Sequence, residues 1–163
     1  MGLSWTSARH SNSLPSDDVR YLDLATAAML VEAARDVAEE IGRPIRVPPV
    51  RLWDCDTPII ESALAAPSAS FGGHEPYPDM ASKAAVLLYG LAKSQACFDG
   101  NKRLACICVL AFLRLNGWEL AVGNTELATR IKDVGASVST ERDAVLAGLT
   151  DWVEAAIRRR LFP

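Results

Sequence analysis

Residues 95–103 read QACFDGNKR, and the apolar run from Leu104 to Leu115 follows them directly. This pattern predicts a short polar loop that leads into a helix, whose first backbone N–H groups have no partner within the helix. Those N–H groups and the helix dipole favour negative charge. Gly100 allows the backbone to approach a ligand closely, and Lys102 and Arg103 add fixed positive charge. The stretch therefore predicts a phosphate-binding site.

An acidic residue, Asp99, stands at the end of this loop. A carboxylate next to a phosphate site is repelled unless a cation lies between the two, so Asp99 suggests Mg²⁺. The tripeptide at 99–101, taken alone, is more typical of a turn followed by a helix cap. The Lys-Arg pair that follows it favours the phosphate site.

The same loop resembles the motif of the Fic/Doc family, which reads His-x-Phe-x-Asp/Glu-Gly-Asn-Gly/Lys-x. Residues 99–103 match it, and Lys102 is typical of the Doc branch, where most Fic proteins have Gly. The loop departs from the motif at Gln95, where the family has its catalytic His, and at Cys97, where it has Phe. The resemblance covers residues 20 to 155 and includes segments at 61–67, 71–73, 83–92 and 112–117.

Apolar residues recur at helical spacing along most of the chain, which predicts a mostly helical protein. The resemblance implies an all-α fold: a single-domain bundle of about six helices with a short β-hairpin flap. We expect a flexible segment at 1–19, with His10, and a Fic/Doc-like helical domain at 20–163. The fourth helix is expected to be surrounded by the others, and Gly135 to end the fifth. The expected helices lie near 22–41, 58–66, 79–94, 101–116, 125–134 and 141–161.

The composition sets broad limits on function. The chain has 163 residues and a net charge of −3, which fits one domain and gives no sign of nucleic-acid binding. The longest apolar run is too short to span a bilayer, and no signal peptide is evident. The four cysteines, Cys55, Cys97, Cys106 and Cys108, fit no zinc pattern. We interpret them as reduced thiols of a cytoplasmic protein, the last two as small core residues.

The resemblance also implies an activity. Family members transfer part of a nucleotide to a hydroxyl group of a target protein, and the Doc branch resembles a kinase that moves the γ-phosphate of ATP to a translation elongation factor. For this chain it implies that Asp99 holds Mg²⁺ and that Gly100 and Asn101 offer N–H groups and an amide to phosphate oxygens. Lys102 and Arg103 then neutralise phosphate charge.

Gln95 is the main departure from that scheme, because an amide does not titrate and cannot accept the proton of the target hydroxyl. Loss of a general base typically costs about 10²–10⁴ in rate, although phosphoryl transfer depends mostly on positioning and charge. The chain is then an impaired toxin-type transferase, a nucleotide- or partner-binding module without turnover, or a transferase with another nucleotide-linked donor. Because Cys97 is smaller than Phe, we expect Gln95→His with Cys97→Phe to restore more activity than Gln95→His alone.

Residues 68–78 contain paired glycines and two prolines, which predicts a loop or hairpin. The resemblance implies a flap here, with Gly72, Gly73 and His74, on which a target protein docks by strand addition. The imidazole of His74 makes this residue a candidate for the missing base, although a lone loop His is usually a surface residue. The inhibitory helix motif of many family members fails at its last position within 137–142, which predicts a separate antitoxin.

Two further charged groups have competing interpretations. Asp54 and Asp56 fit a metal pair, but turn polarity before a helix capped by Thr57 explains them more simply. The arginines at 158–160 fit a small nucleic-acid patch, but favourable charge at the end of the sixth helix is the simpler explanation. We therefore expect no membrane partner and no direct nucleic-acid partner.

Overall fold

The computed structural model describes residues 18–42 and 51–160. Within them the chain forms six α-helices and two short strands, which confirms the predicted all-α bundle. His10 and nearly all of the segment 1–19 lie outside the described residues. The elements are α1 (Leu24–Glu40), α2 (Thr57–Ala65), α3 (Met80–Lys93), α4 (Asn101–Leu115), β1 (Trp118–Leu120), α5 (Asn124–Ala136), α6 (Arg142–Ala156) and β2 (Ile157–Arg159).

Helix α3, rather than α4, lies at the centre of the bundle. It packs against α2, α4, α5 and α6, and nearly all of its residues are buried. Helix α4 leaves Ile107 and Leu110 half-buried, so the prediction that α4 is surrounded is wrong. Small residues allow the neighbours of α3 to approach closely: a Cβ atom added at Gly90 would lie 3.2 Å from the Cβ of Ala63 on α2.

The flap is a tight hairpin that joins Phe71 to His74. The N–H of Phe71 donates to the carbonyl oxygen of His74 at 2.9 Å, and the reverse bond measures 3.0 Å. Gly72 and Gly73 form the turn with φ values of 58° and 80°, a left-handed region that favours glycine and that hairpin turns of type I′ require. The predicted hairpin is therefore confirmed.

A buried lysine of α3 anchors this hairpin. Lys83 is only 3% exposed. Its ammonium group donates to the carbonyl oxygen of Pro67 at 3.1 Å and to the carboxylate of Glu75 at 3.4 Å, and it lies 5.7 Å from the ring centre of Tyr21. Because Pro67 and Glu75 flank the hairpin in sequence, one cation holds both of its arms.

Replacing Lys83 with Met should loosen the flap, since the Pro67 carbonyl and the Glu75 carboxylate both lose a charged donor. We expect faster hydrogen exchange at residues 69–76 and a fall of about 1–3 kcal/mol in the free energy of unfolding. Glu75→Gln is the matched control, because it keeps the buried bond to Pro67 and should have a clearly smaller effect. If Lys83→Met and Glu75→Gln changed hydrogen exchange and the free energy of unfolding equally, the bond from Lys83 to the Pro67 carbonyl would not be the anchor of the hairpin.

Helix α6 ends at Ala156, so the prediction of a helix to residue 161 is wrong. Ile157 is extended, with φ −74° and ψ 144°, and β2 pairs antiparallel with β1 so that Trp118 lies opposite Arg159. The guanidinium of Arg159 lies 4.3 Å from the ring centre of Trp118, a cation–π contact. Pairing with a strand distant in sequence overrides the local helical pattern, so residues 158–160 are not the last turn of a helix.

Turn polarity accounts for the acidic residues before α2. Asp54 belongs to the short 3₁₀ turn Leu52–Asp54, and Asp56, not Thr57, is the N-cap residue of α2. Among the described residues, no group of three or more His, Cys, Asp or Glu side chains is arranged to hold a metal ion. None of the helices in residues 18–42 and 51–160 is long and apolar enough to cross a membrane.

Candidate functional site

The loop between α3 and α4 leads into the start of α4, as the sequence predicts. Gly100 is the N-cap residue, and its φ of 98° is a left-handed conformation that glycine adopts without strain. The first main-chain bond of the helix runs from the N–H of Leu104 to the carbonyl oxygen of Gly100 at 2.9 Å. The N–H groups of Asn101 and Lys102 precede this bond and have no partner within the helix. Two backbone donors and the positive end of the helix dipole thus meet at this junction.

The side chain of Asn101 holds the loop in shape. Its amide oxygen accepts hydrogen bonds from the N–H of Cys97 at 3.0 Å and from the hydroxyl of Ser94 at 3.2 Å. Its amide nitrogen donates to the carbonyl oxygen of Cys97 at 2.7 Å. The side-chain amide of Asn101 is therefore engaged within the loop. Its backbone N–H, which has no acceptor within the helix, is the group that Asn101 can offer to a ligand.

Asp99 and Arg103 form an ion pair across the first turn of α4. The carboxylate and guanidinium are 2.9 Å apart, and the side chains are 43% and 34% exposed. Both line a cavity of about 480 Å³ formed by residues 98–103. An ion pair exposed to this degree contributes at most about 1 kcal/mol. A ligand with its own charge can therefore exchange partners with the pair at little cost.

Lys102 lies against α5 at a position that sequence reasoning misread. Gly135 does not end the fifth helix, because α5 continues to Ala136. A Cβ atom at Gly135 would lie 2.9 Å from the Cε of Lys102 and 3.6 Å from its ammonium nitrogen. The missing side chain of Gly135 therefore leaves the space in which the stem of Lys102 passes over α5.

A second cavity, of about 320 Å³, opens between α4 and α5 beside the loop. Lys102, Arg103 and Lys132 place positive charge around it, and its other lining residues are mostly apolar, among them Leu127 and Ile131. Sequence reasoning did not find this cavity. The available signal was the spacing of Leu127 and Ile131, four residues apart on the face of α5 that is turned toward α4.

The interpretation of all four cysteines as reduced thiols is wrong. Cys97 of the loop forms a disulfide with Cys55, which precedes α2, and their Cα atoms are 4.4 Å apart. Next to this bond, the N–H of Asp56 donates to the carbonyl oxygen of Ala96 at 2.8 Å. Cysteines that are 42 residues apart cannot be paired from sequence spacing alone, because the fold brings them together.

Cys106 and Cys108 are free thiols. Cys108 is fully buried, which confirms its predicted core role, whereas Cys106 is partly buried and lines the cavity between α4 and α5. Burial raises the pKa of Cys106. Burial, together with the neighbouring Cys106, raises the pKa of Cys108 to about 12. Both groups are therefore protonated at neutral pH and poor nucleophiles.

The residues proposed for proton transfer and docking are at the surface. Gln95 and Phe98 are both exposed, Phe98 fully so. His74 is exposed on the flap, where its backbone pairs with Phe71. Within residues 18–42 and 51–160, the hydrogen bonds of His74 are those of its backbone with Phe71, and its role as a replacement base stays a prediction.

The segment after α5 is a fixed connection. It contains a 3₁₀ turn at Ser139–Glu141. The ammonium group of Lys93 donates to the carbonyl oxygen of Ser137. At the other end of the segment, Arg142 donates to the hydroxyl of Tyr77 at 3.2 Å. Residues 137–141 therefore connect α5 to α6 and do not form a separate α-helix.

The fold and the loop define a helical-bundle protein with an electropositive loop-to-helix junction. The chain belongs to the Fic/DOC family, whose model matches residues 20–113. It is 34% identical over 102 residues to Toxin Doc of Mycolicibacterium smegmatis (strain ATCC 700084 / mc(2)155), a match that covers 62% of this chain and 78% of that protein. The resemblance to the Doc branch is therefore confirmed. No solved structure matches the chain significantly.

Proposed function

We propose that this chain is a toxin-type transferase that moves the γ-phosphate of ATP to a hydroxyl group of a target protein. The observation that carries this proposal is the junction at Gly100, where two backbone donors, Lys102 and Arg103 converge beside an acidic residue. Phosphoryl transfer depends mostly on positioning and on neutralising charge, which such a junction supplies. Transfer of a nucleotide moiety, from ATP or another nucleotide-linked donor, is the other form of the same activity.

The phosphate groups would lie on the N–H groups of Asn101 and Lys102, with the Lys102 ammonium and the Arg103 guanidinium around them. The partly exposed carboxylate of Asp99 is the type of ligand that Mg²⁺ prefers, so the residues present fit this ion. When bound, Mg²⁺ would neutralise phosphate charge. The guanidinium of Arg103, in the first turn of α4, would add positive charge beside the phosphates.

The nucleoside part of ATP would occupy the cavity between α4 and α5. Its volume of about 320 Å³ and its mostly apolar lining are suited to a flat aromatic base. Lys102 and Arg103 line both this cavity and the one at residues 98–103. A molecule with an apolar end and a phosphate end fits the two adjoining spaces better than free phosphate does.

Gln95 would orient the target hydroxyl through its amide without taking the proton. The proton would then leave to solvent or to the transferred phosphate as the new bond forms, and transfer would be slow. This makes the wild-type protein an impaired or altered member of the family. Target docking would use the hairpin at Gly72, Gly73 and His74, where an extended segment adds to the flap.

The likeness to Toxin Doc supports a role as a toxin restrained by a separate antitoxin. No inhibitory helix motif is complete in this sequence, and residues 137–141 form a connection within the bundle. Growth arrest on expression of the chain alone, relieved by a neighbouring gene product, is the expected result. Harmless expression at high level would count against the toxin role. We propose that the chain acts in the cytoplasm, where ATP and translation factors are found.

A binding module without turnover is the second candidate, favoured by Gln95 in the place of the general base. Intact-mass measurement separates the two functions: a translation elongation factor is incubated with ATP, Mg²⁺ and the chain. A gain of one phosphate group supports the kinase form, and a gain of one AMP group supports nucleotide transfer. Asp99→Asn should abolish either gain. Tight ATP binding with no modified protein in a whole-cell extract would identify a binding module.

Gly135→Ala should separate stability from binding. Alanine favours a helix interior by about 1 kcal/mol over glycine, so the melting temperature should not fall. The new methyl group displaces the Lys102 stem, and we expect about 3- to 10-fold weaker ATP binding by calorimetry, because a displaced ammonium group keeps part of a charged contact that is worth about 1.5–3 kcal/mol in full. Gly148→Ala on α6, where an added Cβ meets nothing within 4 Å, is the matched control. Unchanged affinity in Gly135→Ala would contradict the role of Lys102.

A further inference from the structure

The loop that carries the site is joined to α2 at two adjacent points. Cys97, in the middle of the loop and 4% exposed, forms the disulfide with Cys55. Beside the disulfide, the N–H of Asp56, which follows Cys55, donates to the carbonyl oxygen of Ala96, which precedes Cys97. The loop is thus fastened to the start of α2 just before the residues that lead into α4.

Beyond these two links, the loop is held by the packing of Ala96 and Cys97 in the hydrophobic core. Phe98 is fully exposed and contributes no packing. The bonds from Asn101 to the backbone of Cys97 shape the loop internally, but they join it only to α4, which it already precedes. The family motif has Phe at position 97, and this chain has no buried aromatic ring in the loop. At this position the disulfide, next to the Asp56–Ala96 hydrogen bond, joins the loop covalently to the residue before α2.

We propose that the Cys55–Cys97 disulfide positions the loop 95–100 for nucleotide binding, and that a dithiol reductant loosens the site by opening it. In that reaction the dithiol is oxidised to its own disulfide, the Cys55–Cys97 bond breaks, and two protons end on the two cysteine thiols. Cys55 and Cys97 are positioning residues, since they act through the backbone of Asp99 and Gly100. The link to ATP binding rests on the proposed function.

The chemistry around the bond suits such a reaction. Cys55 is half-buried and Cys97 is 4% exposed, so an attacking thiolate approaches the bond more readily from the side of Cys55. The two free thiols, Cys106 and Cys108, lie on α4, and burial raises the pKa of both, which makes them poor nucleophiles toward the bond. Disulfides of cytoplasmic proteins are commonly transient or redox-sensing. The bond is therefore open to reduction by an external thiol without internal reshuffling.

The test uses the full chain in a series of buffers of reduced and oxidised dithiothreitol. Alkylation and intact mass give the oxidised fraction, calorimetry gives the dissociation constant of ATP–Mg²⁺, and hydrogen exchange reports on residues 95–100. We expect binding to weaken about 10-fold on reduction, because small misplacement of a site has effects of this size. The change should follow the oxidised fraction, while amides of α3 remain protected.

Three variants complete the test. Cys55→Ser should bind ATP as the reduced wild type does and should not respond to dithiothreitol. Cys55→Ser with Cys97→Phe, which restores the family residue, should recover part of the affinity in a way that is independent of the reductant. Cys108→Ala keeps the disulfide and should respond as the wild type does. Rescue by Phe is an effect that loss of a merely structural cross-link does not predict.

Affinity and loop exchange that do not change with the oxidised fraction would overturn the proposal. If the oxidised wild type binds no ATP, the proposed function fails, but exchange at 95–100 still decides the positioning role. Faster exchange throughout α3 together with the loop would show that the bond supports the whole fold, and would also overturn the proposal.

Discussion

Gln95→His is expected to raise the rate of transfer from ATP to a target hydroxyl, by a factor well below the full value of about 10²–10⁴ that a general base contributes. The residue is exposed at the start of the loop, so the imidazole can replace the amide without repacking the core. A histidine with an ordinary pKa near 6.5 is largely neutral at pH 7.5 and able to accept the proton. Initial rates measured by phosphate incorporation provide the test.

The pH dependence of these rates identifies the mechanism. The imidazole acts as a base only when it is neutral, so the rate of Gln95→His should rise with pH through about 6.5 and then level off. The wild type and the control Gln95→Ala have no imidazole at position 95 and should not show this rise; the same rise in both proteins would identify His74 as the base. Undetectable transfer by all three proteins would identify a binding module. A lower rate in Gln95→His, with activity abolished by Asp99→Asn, would show that Gln95 belongs to a working site of different chemistry.

The disulfide changes what is expected of the second substitution. The sequence favours Gln95→His with Cys97→Phe over the single change, because a small Cys leaves the loop loose. In the structure Cys97 forms a disulfide with Cys55. Cys97→Phe therefore removes this covalent bond at the same time as it adds an aromatic side chain. Without a reductant, Gln95→His with Cys97→Phe should transfer no faster than Gln95→His alone. In dithiothreitol, which opens the disulfide of the single variant, the double variant should be the faster of the two.

Lys102→Ala should weaken the binding of ATP–Mg²⁺ by about 10- to 100-fold, since a hydrogen bond to a charged group is worth about 1.5–3 kcal/mol. The ammonium group lines both cavities at the junction, and its loss removes positive charge where the phosphates would lie. Calorimetry at fixed ionic strength provides the measurement, because salt screens exposed charges.

Arg114→Ala is the matched control for this substitution. Arg114 is exposed on the last turn of the same helix, so its removal changes the net charge equally at the far end of α4. Its affinity for ATP should stay within about twofold of the wild type, as expected for a surface charge away from the site. Equal weakening by both substitutions would show that the overall charge, and not a local site, attracts the nucleotide. Absence of binding by the wild type at millimolar ATP would remove the nucleotide site altogether.

Local chemistry made the centre of this site predictable. The left-handed turn at Gly100, the helix start at Asn101 and the paired cations after it depend on neighbours in sequence, so a single stretch contains the whole signal. The hairpin at 71–74 was predictable for the same reason, because two glycines supply the positive φ values that its turn needs.

Features that depend on distant segments were not predictable. The Cys55–Cys97 bond forms because α2 and the loop meet in the fold, which spacing does not reveal. Gly135 was misread as a helix breaker, because the sequence does not show that Lys102 passes over it. Helix α6 was predicted too long, since the arginines at 158–160 continue a helical pattern that pairing with β1 overrides. In each case a tertiary contact outweighed the local preference.

The pairing of β1 with β2 also determines when the molecule becomes complete during translation. The loop at 95–103 leaves the ribosome well before Leu149 and Val153, the buried residues of α6 that pack toward α3. Strand β1 can pair with β2 only after Ile157 has been synthesised. A growing chain therefore contains the loop at 95–103 before α6 and β2 are available to pack. The loop reaches its native surroundings only after synthesis has passed β2.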